Sequence, residues 1–131
     1  MITRFLLLML IFLSIQCTAQ TFKVTDVQTF HDRDYQKYAK QYMSKEIEVI
    51  FNDNSITITP TNKSSQLNLK KSTTTDNVYY YSTKVSGYYM DYQVIFKKTF
   101  GLISSLEFTM TERPTTSLNY TNRVKLTGKR F

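Results

Sequence analysis

The chain has one cysteine, one histidine, three glycines, two prolines and no tryptophan among its 131 residues. Each shortage removes a class of protein. The cysteine, Cys17, falls inside an apolar amino-terminal segment, so the remainder has no thiol for a disulfide, a metal or a covalent intermediate. A small exported domain without disulfides must draw its stability from packing. The histidine, His31, sits in a turn-like His-Asp-Arg-Asp stretch with no glycine-flanked serine elbow to join it. Asp32 and Asp34 beside it fall short of the three or four convergent ligands that zinc or calcium requires, so neither a metal nor any other cofactor is expected. With only Gly87, Gly101 and Gly128, no glycine-rich phosphate loop can be built. Glu46 and Glu48 alternate on one strand face, while Glu107 and Glu112 face different sides of another, so no carboxylate pair spans a cleft. The inventory predicts a protein that is not an enzyme.

What is present begins with a leader. Arg4 supplies a positive start, Phe5 to Leu13 is unbroken in apolar residues, and Cys17-Thr18-Ala19 is a small-residue cleavage site before Gln20. Residues 1–19 are therefore read as a signal peptide and 20–131 as a single domain. The apolar run is too short to span a bilayer. Acylation at Cys17 is the alternative, with Ser14 and Gln16 standing where a lipobox prefers leucine and a small residue. Export to the periplasm or the extracellular space follows, with membrane contact expected only if Cys17 is lipidated.

The mature chain of 112 residues holds one core. The leader takes only Arg4 from seventeen basic residues, leaving a net charge of +6. Residues 113–131 alone carry +5 with no acid. Arg123, Lys125, Lys129 and Arg130 are the candidate anion-binding residues. Exported anions include lipopolysaccharide, acidic glycans and lipid headgroups, whereas export argues against nucleic acid.

Apolar and polar residues alternate through most of the sequence, the mark of strands with one buried face. Such strands are read at 21–27, 46–51, 55–59 and 66–70, followed by a pair at 78–85 and 88–98 about Ser86-Gly87. A two-residue loop there pairs Val85 with Tyr88, and counting outward sets Thr83 opposite Met90, Tyr81 opposite Tyr92 and Tyr79 opposite Val94 on a buried face. Lys84, Ser82 and Tyr80 then lie outside with Tyr89, Asp91 and Gln93. The next turn is read at 97–101 and another strand at 102–110, to Pro114. The last strand is read at 117–126 from the even spacing of Leu118, Tyr120, Val124 and Leu126, leaving 127–131 to fray. Tyr35, Tyr38, Ala39, Tyr42 and Met43 recur at helical spacing, predicting a short helix near 34–44, with an irregular strand as the alternative.

The result is a mainly β protein, a seven- or eight-stranded antiparallel meander closing into a small barrel or sandwich. It resembles lipocalins in pattern alone, because a chain without tryptophan lacks their Gly-x-Trp signature. Tyr79, Tyr81, Tyr88 and Tyr92 are the candidate ligand-facing aromatics, although rings in so small a barrel more often fill the core. The expected role is a non-enzymatic binding or interaction module of the bacterial cell envelope, taking an anionic envelope component or a small apolar ligand. The alternatives are a small outer-membrane barrel and an envelope enzyme with an unrecognised site.

Overall fold

A computed structural model describes residues 19–30, 35–60 and 65–130, so Cys17 and the His31 to Asp34 stretch lie outside the described residues. Eight strands run in chain order: β1 (Ala19–Phe30), β2 (Glu46–Phe51), β3 (Ser55–Thr59), β4 (Leu67–Lys71), β5 (Val78–Val85), β6 (Tyr88–Thr99), β7 (Leu102–Pro114) and β8 (Asn122–Arg130). A helix, α1 (Tyr35–Tyr42), lies between β1 and β2. Each strand pairs antiparallel with the next and β8 returns to β1, so the meander closes into a barrel. Closure gives every strand two neighbours and removes the edges that an open sheet exposes.

The interior is filled by side chains. Phe22, Ile47, Ile58, Leu106 and Phe108 are fully buried, as expected for an eight-stranded barrel whose interior is just wide enough for them. Gly128 holds an inward position on β8, where an added Cβ would lie 3.1 Å from the Cβ of Phe22 and 3.6 Å from a methyl of Leu106. The missing side chain is space that those two neighbours use.

The β5–β6 hairpin turns at Ser86-Gly87, with φ of 47° and 86°, and its register is the expected one from Val85–Tyr88 to Tyr79–Val94. Two positive φ values give a turn whose twist suits the strands it joins. The helix is also present. Tyr38, Tyr42 and Met43 pack on the core, and the Tyr38 and Tyr42 rings stack at 6.3 Å and 2°. Ser44 (φ 63°) follows it, donating its amide to the Val24 carbonyl at 3.0 Å. Tyr38 and Tyr42 share a recess with Met90, Met110 and Asn122, which places α1 at the end of the barrel where β5 meets β6 and β7 meets β8.

Four expectations need correction. β1 spans Ala19–Phe30, longer at both ends than 21–27, because it pairs β2 through its first part and β8 through the rest. The β6–β7 turn is only Phe100-Gly101, since Lys97 to Thr99 stay in the ladder across a bulge at Lys97/Lys98. Tyr81, expected in the core, is 40% exposed, because β4 pairs with β5 only at Lys70–Tyr80 and Lys71–Tyr79 and leaves its inner side uncovered. The last strand is Asn122–Arg130 and not 117–126. Leu118 is 93% exposed in a loop, while Thr127 to Arg130, expected to fray, pair with β1, and Thr127 to Lys129 with β7 as well.

Candidate functional site

Register decides which side chains meet on the outside of the barrel. Across β5, β6, β7, β8 and β1 one row reads Ser82, Asp91, Thr111, Arg123 and Phe30. The row beside it reads Tyr80, Gln93, Thr109 and Lys125. These residues line an open groove of about 630 Å³ along the outer face. Its floor mixes amide, hydroxyl and charged groups with Ile95, Tyr81 and Tyr92. Tyr80 flanks it on the β5 side, and Phe30, Leu118 and Tyr120 flank it on the β8 side.

The loop between β7 and β8 builds that second wall, and it is pinned at several points. The amides of Thr115 and Thr121 donate to the carbonyls of Gly87 (3.1 Å) and Glu112 (2.8 Å). Thr121 Oγ1 lies 3.1 Å from Glu112 Oε1, and the Asn119 amide donates to Ser117 Oγ at 3.1 Å. Tyr120 is thereby held beside β8, where the Arg123 guanidinium sits 4.0 Å from its ring centroid. Arg123 Nε also donates to Thr111 Oγ1 at 3.3 Å. A cation over a ring gains from the ring's negative face while keeping other N–H groups available to a ligand.

Asp91 anchors the opposite side. It accepts from Ser82 Oγ and, at 2.7 Å, from Arg113 Nε, and the Arg113 guanidinium lies 4.4 Å from the Tyr89 ring centroid. Glu107, the other acid of the groove, is 3.3 Å from Lys97 Nζ. Lys125 has no carboxylate within ion-pair distance among the described residues. The groove therefore has one arginine stacked on a ring, one arginine paired to an acid, and one uncompensated lysine.

The predicted residues are divided among different places. Arg123 and Lys125 meet in the groove, while Lys129 and Arg130 are exposed at the far end of β8. Tyr92 stacks between Tyr81 and Phe108, each 6.2 Å away, and burial raises its phenol pKa, with Tyr81 adding to the rise. Burial likewise raises Tyr79, which stands edge-on to Phe96 at 5.7 Å in a recess of about 450 Å³ at the end opposite α1. Tyr42 is raised by burial first and then by Tyr38 and Tyr92. Tyr88 is a half-exposed residue at the hairpin rim. Tyr81 and Tyr92 thus line the groove with Arg123 and Lys125, whereas Tyr79 and Tyr88 lie elsewhere, so the four tyrosines do not converge on one cavity.

Arg113, Tyr80, Phe30 and Tyr120 were not singled out as site residues by sequence. The hairpin register does predict Tyr80, Asp91 and Gln93 outside, but the pairing of β7 and β8 that brings arginines beside them has no tight-turn signal between Pro114 and Asn122. No group of three or more histidine, cysteine, aspartate or glutamate residues that could hold a metal is present among the described residues. No family model matches the chain, and no curated protein or solved structure is significantly similar to it.

Proposed function

We propose that the protein is an exported, non-enzymatic binding module whose outer groove takes an acidic glycan. The observation that carries this reading is the pairing of Arg123, mounted on Tyr120, with the uncompensated Lys125 on a floor of Thr109, Thr111 and Gln93. A sugar acid presents a carboxylate to such cations, hydroxyls to amide and threonine groups, and C–H faces to flanking rings. An open groove suits a polymer that passes through better than a small molecule that must be enclosed. Catalysis is disfavoured by the same geometry: Asp91 is committed to Ser82 and Arg113, and Glu107 lies beside Lys97. The outer-membrane alternative has the side-chain pattern against it. Apolar residues point inward here and Gln93, Thr109, Lys125 and Asp26 point outward, the reverse of a lipid-facing barrel.

Affinity electrophoresis against polygalacturonate, with dextran as the neutral polymer, tests the reading. Retardation by polygalacturonate alone, weakened by Arg123→Gln and Lys125→Gln and by added salt, is expected. Equal retardation by both polymers, or none by either, would overturn it.

A further inference from the structure

The end of the barrel opposite α1 carries a second feature. Thr99 and Leu102 are joined by the two-residue loop Phe100-Gly101, with φ of 53° and 78°. This turn favours asparagine, aspartate or glycine at both positions, because a bulky side chain at positive φ crowds its own backbone. Phenylalanine occupies the first position. Its ring is 100% exposed, and Leu102 beside it is 68% exposed. The fold thus bears an unfavourable backbone conformation and two exposed apolar side chains at this turn.

The tip also carries side-chain hydrogen bonds across its two strands. Thr99 Oγ1 donates to Ser104 Oγ at 3.0 Å, and Ser104 Oγ donates to the Lys97 carbonyl at 3.2 Å, bracing the hairpin at its bulge. Around it the register lines up cations. Lys97 and Lys129 flank Ser105 in one row across β6, β7 and β8, with Lys98 and Arg130 next to it; on β1 the row passes to Lys23, which lies opposite Glu46 of β2 and away from the tip. Lys97 is paired with Glu107, whereas Lys98, which shares a recess with Asp76, and Lys129 and Arg130 have no carboxylate within ion-pair distance among the described residues.

We infer that this end of the barrel docks on an anionic lipid bilayer, inserting Phe100 and Leu102 below the headgroups while the surrounding lysines and Arg130 meet lipid phosphates. Apolar side chains ringed by basic residues are the chemistry that lies in a membrane interface, where buried apolar area and attraction to anionic lipid add. A protein partner would need a matching acidic, concave surface, whereas a bilayer accepts a convex tip. The glycan groove lies on the side wall and stays open when the tip is docked.

The absence of tryptophan makes the test local. Phe100→Trp gives the full chain a sole indole at the tip, and Tyr80→Trp gives a control on the side wall. With vesicles of phosphatidylglycerol and phosphatidylcholine, Phe100→Trp emission should shift to the blue and be quenched by bromo-acyl lipid, and Tyr80→Trp should show neither. Phosphatidylcholine alone should give no shift. Affinity should fall about fivefold for each cation removed from the surface, so Lys98→Glu with Lys129→Glu should lose more than either alone. Far-UV circular dichroism checks that each variant keeps its sheet. Sedimentation with an unshifted Phe100→Trp spectrum would mean attachment through another segment and would overturn the proposal. A shift of equal size with phosphatidylcholine, or one produced without vesicles by self-association, would overturn it as well.

Discussion

Arg123 lies over Tyr120, with its guanidinium carbon 4.0 Å from the ring centroid, although the two residues belong to different elements, a strand and the loop that precedes it. The loop can hold the ring there because the backbone and hydroxyl of Thr121 are tied to Glu112 across the β7–β8 pair. The contact links the shape of the groove wall to the position of its main cation.

Tyr120→Ala should therefore weaken polygalacturonate binding without unfolding the barrel. A stacked cation at a partly exposed site contributes about 0.5–1 kcal/mol, and the direct sugar contact of the ring is lost as well. A several-fold loss of affinity is expected, with a small drop in the urea midpoint because the Arg123–Tyr120 contact also supports the fold. Arg123→Lys should also lose affinity, since an ammonium cannot reproduce the planar set of donors. Titration calorimetry of both variants beside the wild type checks the pair.

Gly128→Val should destabilise the fold by about 1–3 kcal/mol, the range for overpacking a filled core. The new Cβ alone approaches Phe22 to 3.1 Å, and the added methyls have no room beside Leu106. Urea denaturation should show a lower midpoint. Wild-type stability would mean that β8 does not pack as described.

That glycine also explains where sequence reading stops. The even positions of β8 are Asn122, Val124, Leu126, Gly128 and Arg130, so an apolar alternation is visible only in the middle of the strand. Its end reads as a frayed tail because the space at position 128 is filled from other strands, by Phe22 and Leu106. Leu118 and Tyr120 share the same parity by coincidence and draw the predicted strand backward into the loop. The β5–β6 hairpin was legible because Ser86-Gly87 fixes its register locally. Arg113 and Arg123 were not legible as neighbours of Asp91 and Thr111, since that depends on two pairings joined by a loop that carries no register signal.

Phe108→Ala should cost about 3–5 kcal/mol, as large truncations in cores do, and Tyr81→Ala clearly less. Phe108 is fully buried, whereas Tyr81 is 40% exposed where β4 leaves β5. Paired denaturation curves decide this. Equal losses would contradict the gap between those strands.

Stability should fall on the alkaline side. Burial raises the phenols of Tyr42, Tyr79 and Tyr92 above the ordinary value of 10.0, so the folded chain retains protons that the unfolded chain has released. Their contribution is complete below that value and is lost as pH rises through the higher folded values. Tyr92→Phe keeps the ring stack and removes one such group. Urea midpoints measured between about pH 9 and 11 should decline less steeply for that variant than for the wild type.

Backbone amide NMR of the protein during titration with galacturonate oligosaccharides addresses the groove most directly. Shifts concentrated at Arg113, Tyr120, Arg123, Lys125 and Thr109, absent with neutral malto-oligosaccharides and suppressed by salt, are the predicted result. Shifts that leave these residues unmoved, or that appear equally with the neutral sugar, would contradict the assignment of this face as an acidic-glycan site.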